Sequence, residues 1–168
     1  MYKSQAEAVK EWLVAYRNNE EHIDKQLDKL RALKARMMSV GAQELSDMPR
    51  PPSAPKDRMA EYVIQAESLE ISIQNEINIH EESRKVIYEL IEQLDKPEER
   101  LIIQNRYLYG MEWSDVMMIL YREESKFDQN METYRRRMYR VHEDALEKMA
   151  KGWSKRGRNA EQIKRAGE

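Results

Sequence analysis

Two long runs of heptad-spaced apolar residues, separated by a segment that cannot be helical, set the strongest limit on how this chain folds. In the first run Val9, Tyr16, Ile23, Leu30 and Met37 recur every seventh residue, with Trp12, Leu13, Leu27 and Leu33 between them. Residues three and four apart share one face of an α-helix, so the spacing predicts one long helix from about Ser4 to Ser39. The second run, from about Lys56 to Leu94, places Met59, Ala66, Ile73, Ile87 and Leu94 on the same rhythm, with Val63, Ile77 and Ile91 four residues after their neighbours and His80 and Arg84 interrupting.

Between the runs lie Gly41 and the stretch SDMPRPPSAPKD, which holds four of the five prolines. Proline lacks the backbone donor and clashes with the preceding turn, so residues from about 40 to 56 read as a loop or linker. Such a linker can reverse the chain, which makes an antiparallel hairpin the economical reading of residues 1–94. The stripes equally suit pairing with a second copy, a homodimer through the heptad helices.

The last third changes character. Lys96-Pro97-Glu98-Glu99 reads as a helix start, with Pro in the first turn and two acids at the positive end of the dipole. That helix runs through Leu101, Ile102, Tyr107 and Leu108 to Gly110, a plausible stop. Trp113-Ser114-Asp115 opens a short helix with Ser114 as its cap, carrying Val116, Met117, Ile119 and Leu120. After a polar stretch from Arg122 to Asn130, a final helix from about Glu132 to at least Met149 buries Tyr134, Met138, Val141, Ala145 and Met149. Only five Gly and five Pro, with 36% charged residues, fit an all-α fold. The expectation is a long N-terminal helical hairpin or coiled coil (1–94), a helix-turn-helix (95–151) and a basic tail (152–168), in which Gly152 and Gly157 argue against one continuous helix.

The formal net charge of -2 conceals an asymmetry. Residues 134–168 carry 11 Lys and Arg against 5 Asp and Glu, and the preceding 133 residues reverse the balance, 18 against 26. A basic end on an acidic body points to a localised polyanion-binding surface. On the last helix Arg136 and Arg140 lie opposite the core stripe, Arg135 and Tyr139 flank them on one side, and Arg137 lies toward the other. Guanidinium forks suit phosphates and guanine edges. Cations in a first helical turn oppose the dipole, so the cluster is poorly explained as decoration. Glu143, Asp144 and Glu147 farther along would repel phosphate and confine contact to the first two turns, as when a recognition helix enters a groove by its N-terminal end. Lys151, Lys155, Arg156 and Arg158 add salt-sensitive phosphate affinity, or else merely solubilise the tail.

Several classes are disfavoured. Without cysteine there is no disulfide, thiolate zinc site or Cys nucleophile, and the composition fits a reducing cytoplasm. His22, His80 and His142 show no metal-site spacing. The acid pairs Glu20-Glu21, Glu81-Glu82 and Glu98-Glu99 do not face one another across a reacting centre. No Gly-rich phosphate loop or nucleophile elbow occurs. The reading is a non-enzyme with no cofactor and no metal. No apolar run approaches the roughly 20 residues that span a bilayer, and no signal-peptide core is present, so no membrane partner is expected. Trp113 and Tyr107 are expected in the core, and His142 at its edge with a hydrogen bond to a neighbouring segment.

The stretch LDKPEERLIIQNRYLYGMEWSDVMMIL, residues 94–120, resembles sigma-70 region 4 in its acidic helix start, its R-Y-x-x-G helix end and its aromatic-led second helix. The last helix, YRRRMYRVHEDALEKM, is similar to phage late-transcription regulators of the RinA and ArpU type through Arg140, Val141, His142, Ala145 and Leu146. The resemblance covers residues 94–150 and extends more loosely to the coiled N-terminal part. It departs at 121–133, where YREESKFDQNMET is longer than a tight turn. It implies an activator of phage late genes that binds double-stranded promoter DNA and meets host RNA polymerase in the bacterial cytoplasm. Two other readings stay open: a small terminase-like DNA-packaging subunit, and a helical adaptor whose arginines serve an acidic protein.

Overall fold

The computed structural model describes the backbone of residues 4–44 and 58–166 and the side chains of 4–39 and 59–156. It is all-α: α1 (Gln5–Glu44), α2 (Arg58–Glu92), α3 (Pro97–Ile103) continuing into a π-helical turn (Gln104–Leu108), α4 (Trp113–Tyr121) and α5 (Met131–Ala166), with no strand among the described residues. The Ser4 hydroxyl accepts from the Glu7 amide at 3.2 Å and so caps α1. Helix α1 runs to Glu44, past the expected break at Gly41; the proline-rich residues 45–57 lie outside the described residues. No described helix is long and apolar enough to cross a membrane.

The chain divides into two compact units, residues 19–81 and residues 1–18 with 82–168, rather than at 94/95. In the 19–81 unit the heptad stripes of α1 and α2 face each other. Leu30, Ala66 and Ile73 are buried, with Leu27, Leu33, Met37, Leu69 and Ile77 packed around them. Lys34 meets Glu70 at 2.5 Å and His22 meets Glu76 at 3.5 Å, so ascending α1 pairs with descending α2, an antiparallel hairpin. These stripe residues are spent within one chain.

The other unit has two apolar clusters. In the first, Val9, Leu13 and Tyr16 of α1 and Ile87, Leu90, Ile91 and Leu94 of α2 close on Ile103, Tyr107 and Leu108 and on Ala145, Leu146, Met149 and Ala150 of α5. In the second, Ile102 joins Val116, Met117, Tyr121, Phe127, Met138 and Val141. The adjacent, fully buried Ile102 and Ile103 thus serve different clusters, and α5 passes from one to the other along a stripe of three- and four-residue steps. Heptad spacing reports which face is buried and not what covers it: the last turns of α2, and Leu94 just beyond them, pack on α5.

Two glycines have opposite duties. Gly110 takes φ +67°, the left-handed value that ends α3 and its π turn, and the Met111 amide donates back to the Asn105 carbonyl at 2.9 Å. Gly152, expected to break the last helix, lies inside α5. A Cβ there would stand 2.6 Å from Gln93 Oε1 and 3.1 Å from a Leu90 methyl, so its lack of a side chain lets α5 approach α2 closely. Ser114 also departs from expectation. Glu112 holds the N-cap position of α4, its carbonyl accepting from the Asp115 and Val116 amides, because the turn set by Gly110 starts the helix at Trp113.

Candidate nucleic-acid interface

The outward face of α5 over its first turns is built from below. Buried Met138 and Val141 fix which side of the helix faces α3 and α4, so residues half a turn away must face outward. The connection that the sequence left undefined is a chain of tight turns. Phe127 anchors it, buried against Tyr134, with ring centroids 5.6 Å apart. The lone phenylalanine in an otherwise polar stretch was the available signal for that anchor.

The five α5 candidates stand in four different settings. Arg136 is open, its side chain 76% exposed, and with Arg135 it reaches the same carboxylate, Glu132, at 3.3 and 3.2 Å. These are exposed pairs on one helix, worth at most about 1 kcal/mol each and readily exchanged for a phosphate. Arg140, one turn beyond Arg136, is exposed and has no hydrogen-bond or ion-pair partner among the described residues. Tyr139 is 40% exposed and leans its ring on Trp113, with centroids 5.1 Å apart. Of the four arginines, only Arg137 pairs with another helix among the described residues: it donates to Glu98 at 3.0 Å and sits over the Tyr121 ring at 5.4 Å.

The tail candidates do not act as one group. Lys151 and Lys155 are exposed and line a cleft of about 570 Å³ with Gln5 and Ser154. Helical geometry sets Lys151 within about 20° of the Arg140 direction and roughly 16 Å along the axis, beyond the acids Glu143, Asp144 and Glu147. Arg156 faces the other way and pairs with Glu89. The Arg158 side chain lies outside the described residues.

Behind the arginine face, α3 and α4 are held by polar contacts that pattern reading missed. Glu99 is fully buried and accepts from Lys148 at 2.8 and 3.0 Å, which holds the ammonium above its usual pKa. Glu99 precedes Ile102 and Ile103 by three and four residues, so periodicity alone assigns it to the buried face. Arg17 donates to the Gly110 carbonyl at 3.0 Å and to Glu112 at 2.6 Å, lowering that carboxyl's pKa. Arg106 donates to the Met111 carbonyl at 2.7 Å and lies over Trp113 at 4.9 Å. Together they fix the turn between α3 and α4.

Tyr107 is in the core, Trp113 packs against it, and His142 is buried outright rather than at its edge. The Tyr107 hydroxyl and His142 Nε2 share a hydrogen bond of 2.9 Å. Burial drops the imidazole to about 4, with Lys10 and Arg106 adding to it, and raises the phenol to about 12. The pair is therefore neutral near pH 7. Among the described residues no three His, Asp or Glu side chains gather as a metal site.

Compared with protein-family models, curated proteins and solved structures, the chain matches none.

Proposed function

We propose that the chain is a sequence-specific DNA-binding transcription regulator that reads double-stranded DNA with the first three turns of α5. The observation carrying this reading is the outward face of Arg135, Arg136, Tyr139 and Arg140 on a helix whose opposite face is anchored by Met138 and Val141. Arg140 and Arg136, one turn apart, suit two successive groups along a groove edge, and Arg135 gains phosphate affinity on leaving Glu132. Tyr139, braced by Trp113, supplies a rigid aromatic edge. Lys151 and Lys155 add backbone contacts beyond the acidic interval. The resemblance of residues 94–150 extends the proposal to an activator of phage late genes working with host RNA polymerase in the bacterial cytoplasm.

Fluorescence anisotropy with promoter-region fragments from the gene's own neighbourhood, against scrambled fragments, tests the reading. Each good bidentate arginine contact contributes about 1–3 kcal/mol of discrimination, so Arg136→Ala/Arg140→Ala is expected to abolish the preference for one fragment. Equal weak binding of the wild type to every fragment contradicts the reading and favours an adaptor for an acidic protein.

A further inference from the structure

The three arginines at 135–137 are adjacent in sequence, but the structure gives one of them a different task. Glu132 travels with α5 and is open to solvent, so Arg135 and Arg136 can exchange it for another anion without moving the helix. Glu98 belongs to α3, its side chain is only 22% exposed, and it also accepts from the Tyr121 hydroxyl of α4. Arg137 completes a closed triangle, donating to Glu98 while lying over the face of the same Tyr121 ring. One residue from each of α3, α4 and α5 meets at this point. The next acid along, Glu99, holds Lys148, eleven residues beyond Arg137, so α5 is pinned to the start of α3 at two places about 16 Å apart.

We infer that Arg137 is a positioning residue that sets the approach of α5 to DNA through Glu98 and Tyr121, and is not itself a DNA contact. The inference rests on the DNA-binding reading above. The Arg137 side chain is 53% exposed, but turning it fully to a phosphate would draw it off both a carboxylate on another helix and a ring face, and the helix it reads from would lose a tether as it bound.

Affinity and its salt dependence, measured for Arg137→Ala, Glu98→Gln and Tyr121→Phe on the preferred fragment, separate the two roles. A positioning role predicts that Arg137→Ala and Glu98→Gln each weaken binding about 3- to 10-fold, with the double variant no worse than the weaker single one, since residues of one network are not additive. The slope of log K against log salt stays unchanged. A contacting role predicts the opposite pattern. Arg137→Ala would reduce the slope by about 1, because one phosphate contact contributes about 0.9, while Glu98→Gln would free the guanidinium and tighten binding. That result, or no change in any variant, overturns the inference while leaving DNA binding intact. Tyr121→Phe, which keeps the ring and removes only the hydroxyl, guards against misfolding of the charge variants and is expected to weaken binding about 2-fold. Failure of the wild type to bind DNA in the same assay would overturn the parent reading itself.

Discussion

The 19–81 hairpin and the α3–α5 region bury their side chains by different rules. In the hairpin, one stripe meets another: Leu30, Ala66 and Ile73 form the seam, and its ion pairs, such as Lys34 with Glu70, stay about half exposed. In the α3–α5 region aromatic and methionine side chains fill the clusters, and Glu99, Asn105 and His142 are buried among them. The first arrangement tolerates approximate complementarity, whereas the second ties its geometry to particular polar partners, because a buried polar group left unpaired is costly. A surface that must present arginines at a set angle belongs on the second kind of scaffold.

Substitutions can break or sharpen this contrast. The largest effect is expected from Ile102→Ala, a fully enclosed site, at about 4 kcal/mol of unfolding free energy by denaturant titration. Leu30→Ala in the hairpin should cost about 2 kcal/mol, and hydrogen exchange should confine the loosening to residues near that seam. Next, Lys148→Ala strands the Glu99 carboxylate and should lower the unfolding free energy clearly more than the hairpin variant that follows; Lys96, at 3.9 Å, offers only partial compensation. The matching hairpin variant, Lys34→Ala, should cost under about 1 kcal/mol. Equal losses at the two positions would dissolve the distinction between the regions.

An acid titration probes the same contrast. His142 binds its proton near pH 4 when folded and near 6.5 when unfolded. Between those values the unfolded chain holds the extra proton, so its contribution to stability is complete above pH 6.5 and lost as pH falls toward 4. The loss should be on the order of 2–3 kcal/mol, visible as a slope in stability against pH that His142→Gln removes. An unchanged slope in that variant would mean the imidazole is not buried neutral. The smallest effect is expected from Gly152→Ala. The helix-propensity gain of about 1 kcal/mol opposes displacement of the Gln93 side chain, and the net change in midpoint should stay near zero.

Much of the hairpin was legible because its stripes carry one repeating instruction. Ile23, Leu30, Met37, Ala66 and Ile73 were all readable by counting sevens. What they pack against was not, and so the boundary fell at 94 although Leu90, Ile91 and Leu94 belong with α5. In the candidate interface, the outward placement of Arg136 and Arg140 followed from helical geometry and the Met138 stripe. The division of labour among Arg135, Arg136 and Arg137 did not, since it depends on a carboxylate 39 residues away. Gly152 misled for a related reason: a glycine reads as a helix breaker until the neighbour that needs its space is known.

The most direct test of the account is the salt dependence of DNA affinity for the wild type against Arg136→Ala/Arg140→Ala. If these two side chains meet phosphates or base edges, the slope of log K against log salt should fall in magnitude by up to about 2 and the preferred fragment should lose its advantage. An identical slope and an intact preference would show that α5 does not read DNA with this face, and would contradict the account at its centre.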